Sequence, residues 1–283
     1  MKGNAEKFDT ELYRGTHRYY AKHRPSIPGK VIDIIVKHFE IKPSDRILDI
    51  GCGTGQVAIA MEGKCREMVC IDPDPEMLKW AKKTTKNSEI KLAWINCRAE
   101  DLRKIKKKLG TFKVATICRG FHWMNQEQVL KDLDDLIEDD GGIAIFSDRS
   151  LWTGQEEWQQ TVKKIVQKYL GEERHAGKGK FKESEEPWEN IIARSPFRFI
   201  KIHDVPIVRN WDVESIIGYL FSNSFAAPYL FGDQVNRFKE ETKSTLLSIN
   251  PKGVFQENAV WHMVLGSKKP VIKSRSENSG TAF

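Results

Sequence analysis

Nothing in this chain is apolar over the roughly 18–20 consecutive residues needed to cross a bilayer. Its opening stretch, MKGNAEKFDTELYRGTHRYY, also lacks the apolar centre of a secretory signal. A cytoplasmic protein is therefore expected. Cysteine is scarce and odd in number: Cys52, Cys65, Cys70, Cys97 and Cys118, with no C-x-x-C among them. Four of the five sit in or beside apolar strand-like runs, so they read as small buried hydrophobes and not as a disulfide framework. Zinc spacings, H-E-x-x-H and G-x-S-x-G are all missing, which removes the commonest metalloprotease and serine-hydrolase readings and leaves no metal to expect.

The 283 residues suffice for one large domain or two small ones, and 40% hydrophobic with 30% charged residues is ordinary for a globular chain. The net charge of +7 raises the question of nucleic acid. The basic residues are dispersed, however, with acidic clusters such as Glu172–Glu173 and Glu183–Glu186 between them. The run Arg103–Lys108 fits a solvated helix face better than a phosphate track, so nucleic acid is not the expected partner. The oligomeric state is not legible from these features.

Short apolar runs alternate with helical ones through the first half. Strands are predicted at Arg46–Ile50, Glu67–Asp72, Ile90–Cys97, Lys113–Arg119 and Gly141–Ser147. Helices are predicted at Gly29–Phe39, about Gln56–Met61, from Pro75 onward and about Gln126–Ile137. Such alternation implies parallel strands joined by right-handed crossovers, hence an open α/β sheet. Further strands are predicted at Phe197–Arg209 and Glu257–Lys269, with helices near Asp212–Leu220 and Phe231–Ile249. Residues 150–195 read as polar helix with a flexible loop, GEERHAGKGKFKESEEP, and the last fourteen residues as a disordered tail.

Ligands of open α/β sheets bind at the carboxyl ends of the strands, which singles out the first turn, RILDIGCGTGQ. Its glycines, 51, 53 and 55, allow tight turning and close approach of backbone to a ligand. Thr54 and Gln56 stand where a dinucleotide reading would place glycine. Asp49, two residues before the first glycine, would repel a phosphate and attract a cation. The turn therefore points to a ligand with an amino group and no phosphates.

ILDIGCGTG resembles motif I of the class I SAM-dependent methyltransferases, and the resemblance extends over about residues 18–148. Asp72, in CIDPDPEML, resembles the acid that grips both ribose hydroxyls. CRAEDL resembles the segment lining the adenine and places Ala99 and Glu100 at its amino edge. FHWMNQEQVLKDLDDLIEDDGGIAIF and YAKHRPSIP resemble segments of the type 11 small-molecule subgroup, the second lying over the methionine part of the cofactor. The resemblance implies S-adenosyl-L-methionine (SAM) as cofactor. It also implies a Rossmann-like seven-stranded sheet, mostly parallel with one antiparallel strand, helices on both faces and a helical cap.

On this reading residues 1–149 form a SAM-binding core with N-terminal helices. Residues 150–196 and 210–250 form a helical cap or substrate region, 197–209 and 254–269 supply the last core strands, and 270–283 are a tail. The cofactor set is Tyr20, Arg24, Asp49, Gly51, Cys52, Gly53, Gln56, Asp72, Pro73, Met77, Ala99, Glu100 and Arg119. Met77 fits core packing as well as adenine contact, and the Tyr20/Arg24 pair fits a carboxylate clamp or a surface ion pair. Arg119 is a departure from the family pattern that would suit the cofactor carboxylate or an anionic substrate. Arg98 is another, standing where many relatives carry an acid, which shifts the adenine contact to Glu100 or backbone. His122 is either a general base or part of the pocket floor. Trp123, Trp152, Tyr219 and Ser222 are candidate substrate contacts, with Trp211 and Ser224 beside them. The function implied is methyl transfer to a small organic acceptor; alternatives are an RNA or protein methyltransferase and a non-catalytic SAM-binding protein.

Overall fold

The protein is described from a computed structural model covering residues 12–148, 151–176, 179–180 and 186–271. Two N-terminal helices, α1 (His17–His23) and α2 (Gly29–Phe39), precede alternating strands and helices. These run β1 (Arg46–Ile50), α3 (Gln56–Ala60), β2 (Glu67–Asp72), α4 (Pro75–Thr84), β3 (Lys91–Asn96), α5 (Leu102–Leu109), β4 (Phe112–Cys118), α6 (Gln126–Leu133) and β5 (Ile137–Asp148). Then follow α7 (Glu157–Leu170), the two-residue strands β6 (His175–Ala176) and β7 (Gly179–Lys180), and α8 (Trp188–Ala193). The chain closes with β8 (Phe199–Asp212), α9 (Val213–Phe221), α10 (Val235–Ile249) and β9 (Val254–Ser267). No described helix is long and apolar enough to cross a membrane.

Seven strands form one sheet in the order β3-β2-β1-β4-β5-β9-β8. β1 through β5 pair in parallel, and β9 runs antiparallel to both β5 and β8. The order reverses between β1 and β4, so the carboxyl ends of these two strands open the crevice in which such sheets hold ligands.

The strands are buried on both faces, and their side chains alternate between two cores. Ile47, Met68, Val114 and Ala144 face the core covered by α2, α3 and α4. Their neighbours Leu48, Val69, Ala115 and Ile143 face the core under α5, α6 and α8. Helix α2 buries Val31, Ile32, Ile35 and Phe39 along one side, a spacing of three and four residues that makes a single apolar stripe.

The last two strands do more than finish the sheet. β8 and β9 pair over fourteen residues each, yet β5 meets β9 only from Trp261 to Ser267. The other half of the hairpin projects past the sheet and carries Trp211 and Phe255 into a third core, formed with α7, α9 and α10. The cap is thus anchored by the same hairpin that ends the sheet.

Beyond shifts of a few residues at strand ends, element boundaries differ from the sequence reading at three places. The helix read as Phe231–Ile249 is a 3₁₀ segment, Pro228–Gln234, bent at Gly232 and followed by α10, because Gly232 adopts φ 51°, ψ −130°. The helix read as reaching Ile137 stops at Leu133, and β5 begins at Ile137, where a bulge lets Phe112 pair with it. Strand β8 continues to Asp212, whose side chain accepts the Ser215 N–H and starts α9. The expected tail falls beyond Val271, outside the described residues.

The paired glycines at the start of β5 supply a stability test. A Cβ on Gly142 would sit 2.2 Å from the Gly266 carbonyl oxygen and 2.4 Å from the Phe39 ring, whereas one on Gly29 meets nothing within 4 Å. Gly142→Ala is expected to cost more than about 2 kcal/mol in urea denaturation, because backbone must move. Gly29→Ala should be neutral or stabilise by up to about 1 kcal/mol.

Candidate functional site

At the switch between β1 and β4 lies a cavity that opens to solvent, with about 690 Å³ of space when its open mouth is counted. Its floor is the alternating-glycine turn. Gly51 and Gly53 have φ of 68° and 53°, which L side chains rarely adopt. Above Gly53 lies the Tyr20 ring, 3.7 Å from where a Cβ would be, and above Gly51 lies the Met124 methyl, at 3.2 Å. Any side chain on the turn would enter the cavity or strike its roof.

The turn is held by Asp72 at the end of β2. Its Oδ2 accepts the Gly53 N–H at 2.8 Å and its Oδ1 the Asp74 N–H at 2.9 Å. Asp74 caps α4 by accepting from Glu76, with Pro75 at the first helical position, where a missing N–H costs nothing. Asp74 also bonds the His17 ring at 2.9 Å and so tethers α1 over the cavity. Two more contacts seat that helix: Arg24 donates to Asn223 Oδ1 at 2.7 Å, and the His23 ring packs directly on Gly218 of α9.

Electrostatically the site is acidic and dry. Asp49 is buried, and its pKa is raised to about 7, first by burial and then by the charge of Asp72, against a bond from the Thr116 hydroxyl that lowers it. The distance from the ordinary 3.8 corresponds to roughly 4 kcal/mol against ionisation. Burial likewise raises Asp72 to about 6, although the N–H groups of Asp74 and Gly53 pull the other way. Asp49 is fully buried behind the cavity lining and does not itself line it, and its Oδ2 has no hydrogen-bond partner. Buried carboxylate oxygens are seldom left so. An ammonium or sulfonium group is the chemistry that such an oxygen lacks, and that is what SAM carries, so the residues present fit this cofactor.

Ten of the residues picked from sequence line the cavity: Tyr20, Gly51, Gly53, Asp72, Pro73, Met77, Ala99, Glu100, Arg119 and Trp123. Tyr13, Asp74, Cys118, Gly120 and Met124 also line it and were missed. Three of those five belong to the stretch CRGFHWM, residues 118–124, around Arg119, and Tyr13 stands in a segment with no apolar periodicity to mark it. Arg98, which departs from the family pattern, is on the wall and pairs with Glu100 at 3.4 Å.

Several expected contacts are corrected. Cys52 is turned away beneath the turn against Cys70, and burial holds its thiol well above the ordinary range. Gln56 is spent inside the protein, donating to the Arg24 carbonyl and accepting from Arg119. Arg119 contributes to the wall, but its guanidinium points inward to Asp148 at 2.6 Å, Gln56 at 2.8 Å and the Pro25 carbonyl at 3.1 Å, so it is no free anion receptor. Arg24 stands behind the wall, stacked on the rings of Tyr20 and Tyr219, with its Nε unpartnered.

Ser222 bonds the Tyr219 carbonyl and closes α9 instead of facing a ligand. Tyr219 is packed on Trp211 and Trp152 on Phe225, both inside the cap, which explains why neither reaches the cavity. His122 is likewise off the wall, tilted against Trp123, and burial followed by the charges of Arg174 and Arg24 lowers its pKa to about 4.

Residues 47–141 match the family model of a methyltransferase domain. A Saccharomyces cerevisiae protein named as an S-adenosylmethionine-dependent methyltransferase is 30% identical over 130 residues, 45% of this chain and 44% of that one. The match therefore spans less than half of that relative. A Dictyostelium discoideum protein named as a methyltransferase is 23% identical over 85% of this chain and 86% of its own. Among solved structures, one described as a type II methyltransferase from Anaeromyxobacter dehalogenans superposes with a TM-score of 0.60, covering 86% of this chain and 97% of its own. At 16% identity it shows the fold alone.

The raised pKa of Asp49 gives a signed expectation. A cationic ligand favours the ionised carboxylate, so binding expels a proton wherever the free site is protonated. SAM affinity should rise with pH, by at most about tenfold per unit, up to about pH 7 and level off above it. Asp49→Asn should flatten that dependence in calorimetric titrations. The ligand-free fold behaves oppositely: with its folded pKa above 3.8, Asp49 withdraws stability as pH climbs from about 4 to 7.

Proposed function

We propose that this chain, whose core is a class I SAM-dependent methyltransferase domain, transfers a methyl group from SAM to a small organic acceptor by in-line displacement. The observation that carries the reading is the orphaned Asp49 oxygen beside a glycine turn that Asp72 holds open to the cavity. Asp72 would take the ribose hydroxyls, and Pro73, Met77 and Ala99 the adenine. The backbone of Gly51 and Gly53, roofed by Tyr20, would take the methionine part. Arg24, stacked behind Tyr20 with its guanidinium donating to the neutral Asn223, would supply positive charge toward the carboxylate.

When bound, SAM supplies an electrophilic methyl group whose leaving group is a neutral thioether. What remains for the protein is positioning and the exclusion of water. The acceptor side is suited to that. Tyr13, Trp123, Met124 and Cys118 make an apolar wall, half of it aromatic, and a concave site with such a lining supports a small acceptor over a polymer.

His122 bears on the acceptor's chemistry. With a pKa of about 4 it is neutral at physiological pH, yet it is too weak a base to remove a proton from an alcohol or amine efficiently. The charges that lower it are the guanidiniums of Arg174 and Arg24. A positive surround and a weak base together favour an acceptor whose nucleophile is already unprotonated, such as an anionic oxygen.

Incubation with methyl-labelled SAM, a panel of small organic acids, tRNA and protein tests the acceptor. Label is expected in the low-molecular-weight fraction; label confined to RNA or protein would overturn the acceptor half. His122→Gln should retain kcat within about tenfold between pH 7 and 8, general-base roles being worth about 10²–10⁴. A loss beyond 10³ would restore His122 as the base.

A further inference from the structure

Arg119 is the feature that the proposed chemistry leaves unused. It follows β4 directly, and it is one of only two non-glycine residues at positive φ among those described, at 58°. Sites that hold a bulky residue in that conformation are over-determined by their surroundings. Here the surroundings are a chain of charged groups with almost no access to water.

Nε of Arg119 donates to Asp148 at 2.6 Å, with side-chain exposures of 6% and 5%. The second Asp148 oxygen takes Arg209 from β8 at 2.8 Å, and Arg209 reaches Glu257 on β9 at 3.0 Å. Glu257 then accepts from Trp211 at 2.8 Å and from Gln159 on α7 at 3.0 Å. In the other direction Arg119 donates to Gln56 and to the Pro25 carbonyl, and Gln56 donates to the Arg24 carbonyl. Two arginines and two carboxylates balance, and the chain runs from the segment that follows α1, through the ends of β4 and β5, into the cap.

We propose that Arg119 is a positioning residue: it fixes the Arg24–Pro25 segment, which follows the helix that carries Tyr20 over the cavity, and, through Asp148, Arg209 and Glu257, makes that position depend on the cap hairpin. This rests on the reading of the cavity as a SAM site. The geometry suits a linkage better than a local brace. Asp148 is shared end to end between the two arginines, one on the cavity wall and one in the cap, so neither can move without unseating the other's partner. Burial alone would raise the Asp148 pKa, and the two guanidiniums instead hold it at about 2, so the linkage stays charged at any physiological pH. A ligand that holds α1 and its Tyr20 against the glycine turn should therefore stiffen the far half of the hairpin, which it does not touch.

Hydrogen exchange of the full chain with and without S-adenosylhomocysteine (SAH) tests this. In the wild type, SAH is expected to slow exchange at least threefold both in residues 20–27 and in the hairpin segments 207–212 and 254–258. In R209M, SAH affinity should stay within about threefold and residues 20–27 should remain protected, while the hairpin loses its protection. If R209M does not fold, R209K, which keeps the charge but not the two-carboxylate bridge, should show hairpin protection reduced at least twofold. Hairpin protection that is absent in the wild type, or unchanged in the variant that folds, overturns this inference alone. Failure of the wild type to bind SAH overturns the cofactor reading and this inference with it.

Discussion

Two carboxylates buried at the ends of neighbouring strands, with no ion-pair partner among the described residues, are the constraint around which this structure is arranged. A protein interior disfavours such charge, and here the cost shows as pKa values raised to about 7 and about 6. The fold accepts it at one place, the strand switch of the sheet. The glycines between the carboxylates have no side chain to fill the space, and α1 is laid across the top by His17, His23 and Arg24. Core burial elsewhere must carry the stability that the site withholds. The two alternating cores, one under α2–α4 and one under α5, α6 and α8, do so by ordinary close packing.

The cap is continuous with this arrangement. A hairpin twice as long as its pairing with β5 requires would be a liability if its free half were exposed. Instead one face of that half is covered, with Trp211, Phe255 and Trp158 packed together and Arg209 and Glu257 paired beneath them, while Val208 and Val254 face solvent. Breaking one partner of such a buried pair typically costs about 3–5 kcal/mol, so the charged chain that ends at Arg119 weighs on stability.

Much of this was legible in the sequence, for physical reasons that can be named. β1, β2 and β4 announce themselves because strands buried on both faces must be apolar without interruption, as in VATIC. The glycine turn and Asp72 were legible because backbone conformation and ligand chemistry restrict those positions to few residue types. The destination of side chains was not. Arg119, Gln56 and Arg24 read as three polar residues near a ligand, and only the fold shows the first two consumed by one another and by Asp148, 29 residues further on. The bend at Gly232 was hidden inside a helical pattern, and Tyr13 inside an aperiodic one. Spacing reports which face a residue occupies; it does not report which partner reaches it first.

The central claim is that the turn between Asp49 and Asp72 cradles a sulfonium nucleoside, and a crystal structure of the full chain with SAH tests it most directly. The account places the ribose hydroxyls on Asp72, the adenine against Met77 and Ala99, and the homocysteine tail over Gly51 and Gly53 beneath Tyr20. The nucleoside found outside this cavity, or inside it with its ribose turned away from Asp72, would contradict the account.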